Sequence, residues 1–293
     1  MFQIFSSAVM RRATAGFTFV AATLVGGVAA AQQIDTLSII QSSRLFVVNG
    51  LDGDHPSQVG GAIWDGATSM VTSGSQNDPL YVIQNSQMYI VPDPSQSLFT
   101  SFPGAAGVHG AWAGDTRMVL SSTNQTPPQP ALFVTQDSSL WRVTFDGNFV
   151  SLGPGWNGTT SMGSAFTSGG VRLFIIQDSR MWLVSPDTGA FSSLGSGWGG
   201  PTLMTTEGGF IYVIQDNTLW KVDPNGPPNH NFVGLTGAIW SGATSMTSTP
   251  DTLYVIRNST LYRYDLVDDS LATESGPIWT GPTLMAGRFT FVK

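Results

Sequence analysis

The run Trp198-Gly199-Gly200-Pro201-Thr202-Leu203-Met204, followed by Ile211-Tyr212-Val213-Ile214-Gln215 and Leu219-Trp220-Lys221-Val222, decides the architecture because it is repeated. The pattern Trp-x-Gly-x-Thr-x-Met starts at Trp64, Trp112, Trp156, Trp198, Trp240 and Trp279, with spacings of 48, 44, 42, 42 and 39 residues. A pattern returning about every forty residues marks supersecondary units that bury their faces on one another.

Each unit carries two short β-rich runs separated by Asn, Asp or Ser. They are Leu37–Gln41 with Arg44–Val48, Tyr81–Gln84 with Met88–Val91, Leu132–Gln136 with Leu140–Val143, Phe174–Gln177 with Met181–Val184, Ile211–Gln215 with Leu219–Val222, and Leu253–Arg257 with Leu261–Tyr264. That is the sequence form of a β-hairpin, and Asp137, Asp178 and Asp216 read as its turn formers. The second run has an aromatic after its leading Leu or Met, at Phe46, Tyr89, Trp141, Trp182, Trp220 and Tyr262. A third run follows, such as Phe149–Leu152 or Phe191–Leu194, and the Thr-x-Met segment makes a fourth. Trp, Gly, Thr and Met of the motif share one parity, which on a strand means one face.

Leu253 and Val255 alternate with Tyr254 and Ile256, so the hairpin strands are apolar on both faces. Such sheets must be sandwiched between neighbours, which radial stacking achieves while keeping strand edges short. The expectation is an all-β, six-bladed propeller with four antiparallel strands per blade. The chain opens on a hairpin and ends on a Thr-x-Met strand, so the terminal strands should share one blade and close the ring. Residues 32–36 read as a lead-in, residues 121–130 as a surface loop, and Phe289–Val292 as either an extension of the last strand or another strand.

Composition agrees. Charged residues are 11% of the chain, Gly is 34 and Pro 17, and Glu (Glu207, Glu274) and Lys (Lys221, Lys293) number two each. Solvated helix faces need Glu and Lys in quantity, so this is the composition of an all-β domain. Residues 1–31 read as a cleaved secretory signal: Arg11 and Arg12, an apolar run to Ala31, and a small-residue site at Ala29-Ala30-Ala31. Met10 is an alternative start. The competing reading is a membrane anchor, since about twenty residues can span a bilayer. The single domain is then 32–293, secreted or periplasmic, with no membrane span after cleavage. Losing the two arginines leaves 10 basic against 19 acidic residues, a balance of −9. An acidic surface repels nucleic acid, which is not expected as a partner. The chain has no Cys, so disulfides and thiolate chemistry are excluded.

The order Gly-Trp-x-Gly, a strand, then Leu-Tyr-Lys-like hairpin residues resembles the repeat of the tachylectin family of sugar-binding β-propellers. The match is clearest at Gly197-Trp198-Gly199-Gly200, Ile211-Tyr212-Val213 and Leu219-Trp220-Lys221-Val222. Tectonin propellers share the Trp-rich blade more distantly. The resemblance covers the mature chain as a repeat style and implies a secreted lectin with equivalent sites between blades. This chain departs from it in having six units rather than five, and Thr-x-Met in place of a Phe-rich inner strand.

The candidate ligand-binding residues are therefore Trp64, Trp112, Trp156, Trp198, Trp240 and Trp279, with Gln41, Gln84, Gln136, Gln177 and Gln215 ending the first hairpin strand. The Trp rings either cement blade to blade, each burying some ~150–250 Å², or offer sugar-stacking faces whose weak sites add through avidity. The Gln amides either serve sugar hydroxyls or satisfy backbone groups at blade junctions. His55, His109 and His230 lack a second His at ligand spacing, so no metal site is expected. Asn49 and Asp52-Gly53-Asp54 read as a turn rather than a Ca²⁺ loop. No nucleophile elbow is present, and the two Glu fall in different units. The chain is therefore expected to be non-enzymatic, with no catalytic residue and no cofactor, and its partner a glycan or cell-surface ligand. The alternatives are a protein-interaction or surface-assembly module, and an enzyme with one site in the central channel.

Overall fold

The computed structural model describes residues 32–49, 52–75, 78–96, 98–102, 112, 114–227 and 231–292. The secretory segment expected over 1–31 lies outside them, as do His109 and His230. Twenty-four strands form six four-stranded antiparallel sheets, and no helix occurs among the described residues. The protein is a six-bladed β-propeller.

Blade 1 holds β1 (Gln32–Gln41), β2 (Arg44–Asn49) and β3 (Asp52–Val59), with β24 (Thr283–Val292) as its innermost strand. Blade 2 is β4 (Ala67–Val71), β5 (Leu80–Gln84), β6 (Gln87–Val91) and β7 (Thr100–Ser101). Blade 3 is β8 (Arg117–Ser122), β9 (Pro130–Gln136), β10 (Ser139–Thr144) and β11 (Phe149–Pro154). Blade 4 is β12 (Ser161–Thr167), β13 (Gly170–Gln177), β14 (Arg180–Val184) and β15 (Phe191–Ser196). Blade 5 is β16 (Leu203–Glu207), β17 (Phe210–Gln215), β18 (Thr218–Val222) and β19 (Phe232–Thr236). Blade 6 is β20 (Ala243–Thr249), β21 (Thr252–Arg257), β22 (Thr260–Asp265) and β23 (Ser270–Thr273).

The first strand of each of blades 2–6, and β24 of blade 1, lies against the axis and meets its counterparts on both sides. Ring closure follows the expected route, with β1 and β24 in continuous register from Gln32↔Val292 to Gln41↔Thr283. That register corrects two readings. Residues 32–36 are strand rather than lead-in, and 289–292 extend β24 rather than adding a strand.

The core is divided among the blade junctions, with one apolar cluster for each pair of neighbours. In β21, Leu253 and Val255 enter the cluster shared with blade 5, while Tyr254 and Ile256 enter the one shared with blade 1. Period-2 alternation between two buried faces is the packing that the pattern required. Bulges on the outer edge add to it. The register shift at Leu140/Trp141 turns Leu152 into the junction with blade 4, and the one at Met181/Trp182 does the same for Leu194 toward blade 5.

Candidate functional site

The motif Trp residues do not lie on strands. Each sits in the loop that enters its blade, and the strand begins nearer the Thr; β16, for example, starts only at Leu203. The shared-parity reading is therefore wrong for Trp and Gly. The cause is the motif Gly: Gly66, Gly114, Gly158, Gly200, Gly242 and Gly281 all have φ between +72° and +81°. A side chain is disfavoured there, and the left-handed backbone interrupts the regular pleat, so the strand begins only after it.

From that loop each indole wedges between its own blade and the preceding one. Trp198, for instance, packs with Phe174, Ile176 and Met181 of blade 4 and with Ile211, Val213 and Val222 of blade 5. The six motif Trp are only 1–6% exposed, so their ring faces are covered by protein. Edge-on aromatic contacts complete the seat, as in Trp279 with Phe46 at 5.6 Å and Trp198 with Phe232 at 5.7 Å. The indole N–H of Trp240 donates to Thr236 Oγ1 at 2.7 Å, and that of Trp279 to Ser275 Oγ at 2.9 Å.

Backbone bonds add a second tie. The N–H of every motif Trp donates to a carbonyl in the hairpin turn of the preceding blade: Trp64 to Ser43, Trp112 to Ser86, Trp156 to Ser138, Trp198 to Ser179, Trp240 to Asn217 and Trp279 to Ser259, at 2.8–3.0 Å. Those turns have two central residues with positive φ, such as Asp178 at 50° and Ser179 at 61°. This is the turn whose twist suits a two-residue hairpin, so the Asp residues read as turn formers do occupy turns.

The Gln side chains hold the other side of the same loop. Gln41 Nε2 donates to the carbonyls of Ile278 and Thr280, Gln84 to Ile63 and Asp65, Gln177 to Gly155 and Asn157, and Gln215 to Gly197 and Gly199. Each amide spans the two carbonyls flanking the Trp of its own blade. Arg257 takes the equivalent place in blade 6, donating to Ile239. The five Gln are 6–7% exposed, and burying the loop carbonyls without these donors would be costly.

Gln136 does border solvent space. With Asp115, Asp137, Trp156, Asn157 and Thr159 it lines a polar cleft of about 390 Å³ between blades 3 and 4. Of the sequence candidates, this cleft gathers Gln136 and Trp156 only.

The axial cavity, about 530 Å³, is lined by the motif methionines Met70, Met118, Met162, Met204, Met246 and Met285, one from each blade. At the level of the motif Thr, hydroxyls link neighbours, as in Thr68 to Thr116 and Thr160 to Thr202, both 2.8 Å. Among the described residues, Glu207 is the one charged member of the lining. Burial raises its carboxyl above the ordinary range, with backbone N–H donors from Asp251 and Gly208 opposing the rise. The same burial, with Glu207 and Asp251 nearby, pushes the Tyr212 phenol up to about 12. Nearby, Asp35 Oδ2 accepts from Tyr254 and Thr249 hydroxyls at 2.8 Å each. His55 stands on β3, exposed beside a separate cavity bordered by Asp93 and Arg288. Among the described residues no three His, Asp or Glu gather as metal ligands.

The positions that the sequence reading missed are on the Trp side of the rim, where the repeat varies. The residue before the Trp is exposed Ile63, Ile239 or Ile278 in three blades, but Gly155 or Gly197 in two others. The signal was present as Gly-Ala-Ile-Trp, twice, and Gly-Pro-Ile-Trp.

No family model matches the chain, and no curated protein sequence matches it. Solved structures match its fold. A chain from a nidogen/laminin complex is similar with a TM-score of 0.65 at 11% identity, covering 86% of this chain and 98% of that one. A protein of unknown function from Bacteroides caccae aligns with a TM-score of 0.53 at 9% identity, over 87% of this chain and 99% of that one. PorZ, a surface component of the type-IX secretion system of Porphyromonas gingivalis, aligns at 0.53 and 10% identity over 86% of this chain and 38% of its own. At such identities the likeness is one of fold.

Proposed function

We infer that this chain is a non-enzymatic, exported interaction module that presents the Trp-side rim of its propeller to a protein partner. The observation that carries this reading is the use made of the repeated residues. The motif Trp, and every Gln whose bonds are described above, are consumed in holding blade to blade, while the rim positions beside them vary in charge and hydropathy. Function on a shared scaffold resides in such variable loops. Two similar folds come from a complex with laminin and from a bacterial surface component, uses of the fold that agree with this one. Export rests on the expected signal at 1–31.

The test is a photo-crosslinking residue placed at Ser241 or Thr280 on the Trp-side rim, and at Ser168 or Asp187 on the opposite rim, in the native host. Protein adducts from the first pair alone support the reading. Adducts from neither pair would sink it.

The cleft at Asp115, Gln136, Asp137 and Asn157 favours a second reading, a glycan-binding propeller, because polar side chains beside a Trp can serve sugar hydroxyls. A glycan array signal abolished by Asp137→Ala would establish it. Silence across the array would remove it.

A further inference from the structure

Blades 6, 1 and 2 are neighbours in the ring, and each places an isoleucine before its motif Trp: Ile239, Ile278 and Ile63, exposed to 40%, 46% and 40%. All three are held alike. The Ile N–H donates to the carbonyl two residues back, Ile239 to Gly237 at 2.6 Å, Ile278 to Gly276 at 2.8 Å and Ile63 to Gly61 at 3.0 Å. This is the three-residue γ-turn, with Ala238, Pro277 or Ala62 at its centre. A β-branched side chain on a closed turn loses little freedom when covered. Blades 4 and 5 have Gly155 and Gly197 instead, at φ +103° and +102°, with no side chain to offer.

The first residue of the adjoining hairpin turn divides the same way. It is Asn258, Ser42 and Asn85 in blades 6, 1 and 2, but Asp137, Asp178 and Asp216 in blades 3, 4 and 5, all exposed. Exposed Asp115 joins the acidic half, where exposed Arg180 offsets one charge. In the apolar half, exposed Arg44 and Asp65 carry opposite charges, and half-buried Arg257 adds one positive charge beside Ile239. One half of the rim is thus apolar and near neutral, the other acidic. Single exposed apolar residues are ordinary, but three at one repeat position on adjacent blades set one sector of the rim apart.

We propose that this rim docks one polypeptide segment, which lays apolar side chains on Ile239, Ile278 and Ile63 and basic side chains against Asp115, Asp137, Asp178 and Asp216. The proposal rests on the interaction-module reading. Charge complementarity selects the occupant. An anionic membrane would be repelled by the acidic half, and a second copy of the chain would bring a second acidic rim against the first.

The test uses the full chain, fluorescence anisotropy and three synthetic peptides: an amphipathic Leu/Lys peptide, its Leu/Glu counterpart, and a Gly/Ser/Lys peptide of equal charge. The Leu/Lys peptide should bind the wild type and the other two should not. Combined Ile63→Ser, Ile239→Ser and Ile278→Ser should weaken binding by about tenfold or more. Combined Asp137→Asn, Asp178→Asn and Asp216→Asn should weaken it similarly and flatten its salt dependence. Val267→Ser, at another exposed apolar site, should leave it unchanged, and unaltered thermal melting shows that the variants fold. No binding of the Leu/Lys peptide, or equal binding by the Ile variant, overturns the proposal, while rim crosslinks to a protein would still uphold the interaction reading. Self-association of the wild type, or capture by phosphatidylcholine vesicles, that disappears in the Ile variant would also overturn it, in favour of a second copy or a membrane.

Discussion

The backbone N–H of Trp198 donates to the carbonyl of Ser179 at 3.0 Å, tying the loop that enters blade 5 to the hairpin turn of blade 4. The same relation recurs at all six junctions. One residue type thus supplies the apolar wedge and the polar tie at each seam of the ring.

Trp198→Ala should destabilise the protein by roughly 3–5 kcal/mol, the range for truncating a large buried aromatic. Thermal or urea unfolding measures it. An unchanged melting temperature together with lost ligand binding would reverse the structural assignment of this ring.

Gln215→Leu removes one amide that serves two carbonyls, those of Gly197 at 2.8 Å and Gly199 at 2.9 Å. Leaving buried acceptors unpaired should cost about 1–3 kcal/mol. Equilibrium urea unfolding would read the loss, and a variant as stable as the wild type would show that water replaces the amide.

Tyr254→Phe takes one of the hydroxyl donors from the buried carboxylate of Asp35, bonded at 2.8 Å. A hydrogen bond to a charged group contributes about 1.5–3 kcal/mol, so a loss of that order is expected. Burial, then the charge and hydrogen bond of Asp35, hold the Tyr254 phenol far above its ordinary value. Spectrophotometric titration should therefore show this tyrosine still protonated when exposed phenols have ionised.

Glu207 gives a pH test. Its folded carboxyl titrates above the ordinary value of 4.5 because it is buried, with the charges of Asp251 and Asp35 adding to the rise. Over the interval between the two values the folded chain holds a proton that the unfolded chain has released. Stability from this group therefore falls as pH rises through that interval. Glu207→Gln removes the effect, so the variant should gain on the wild type as pH is raised from about 4 to about 7. Parallel stability curves for the two proteins would contradict this.

Gly189 has φ +72°, and a Cβ there would lie 1.9 Å from the backbone oxygen of Leu152 in blade 3. Gly208, at φ +58°, has open space around it. Gly208→Ala should cost about 1–2 kcal/mol for the left-handed backbone alone. Gly189→Ala must also move backbone apart, so its unfolding midpoint should fall further. Equal effects would mean that blades 3 and 4 separate easily there.

Much of the ring was legible because burial on both strand faces leaves a period-2 record, as at Leu253 to Ile256. Closure through β1 and β24 was legible because the chain begins and ends at complementary points of the repeat. The place of the Trp was not. Parity assigns Trp198 to the strand face of Met204, but parity carries no information about the sign of φ at Gly200. The Gln bonds were likewise hidden, since an amide that faces sugar and one that faces two carbonyls have the same sequence. The rim isoleucines are hidden for a different reason: a repeat reveals what its six units share, and Ile63, Ile239 and Ile278 stand where the units differ.

The pairing of β1 with β24 also has a mechanical side. Gln32 lies opposite Val292 and Gln41 opposite Thr283, so residues 32 and 292 are adjacent at one end of an antiparallel ladder. Traction applied at those two points would load the rungs one after another instead of all at once. Blade 1 would open first, like a zipper drawn by both tabs, while the four seams among blades 2 to 6 still shared the strain.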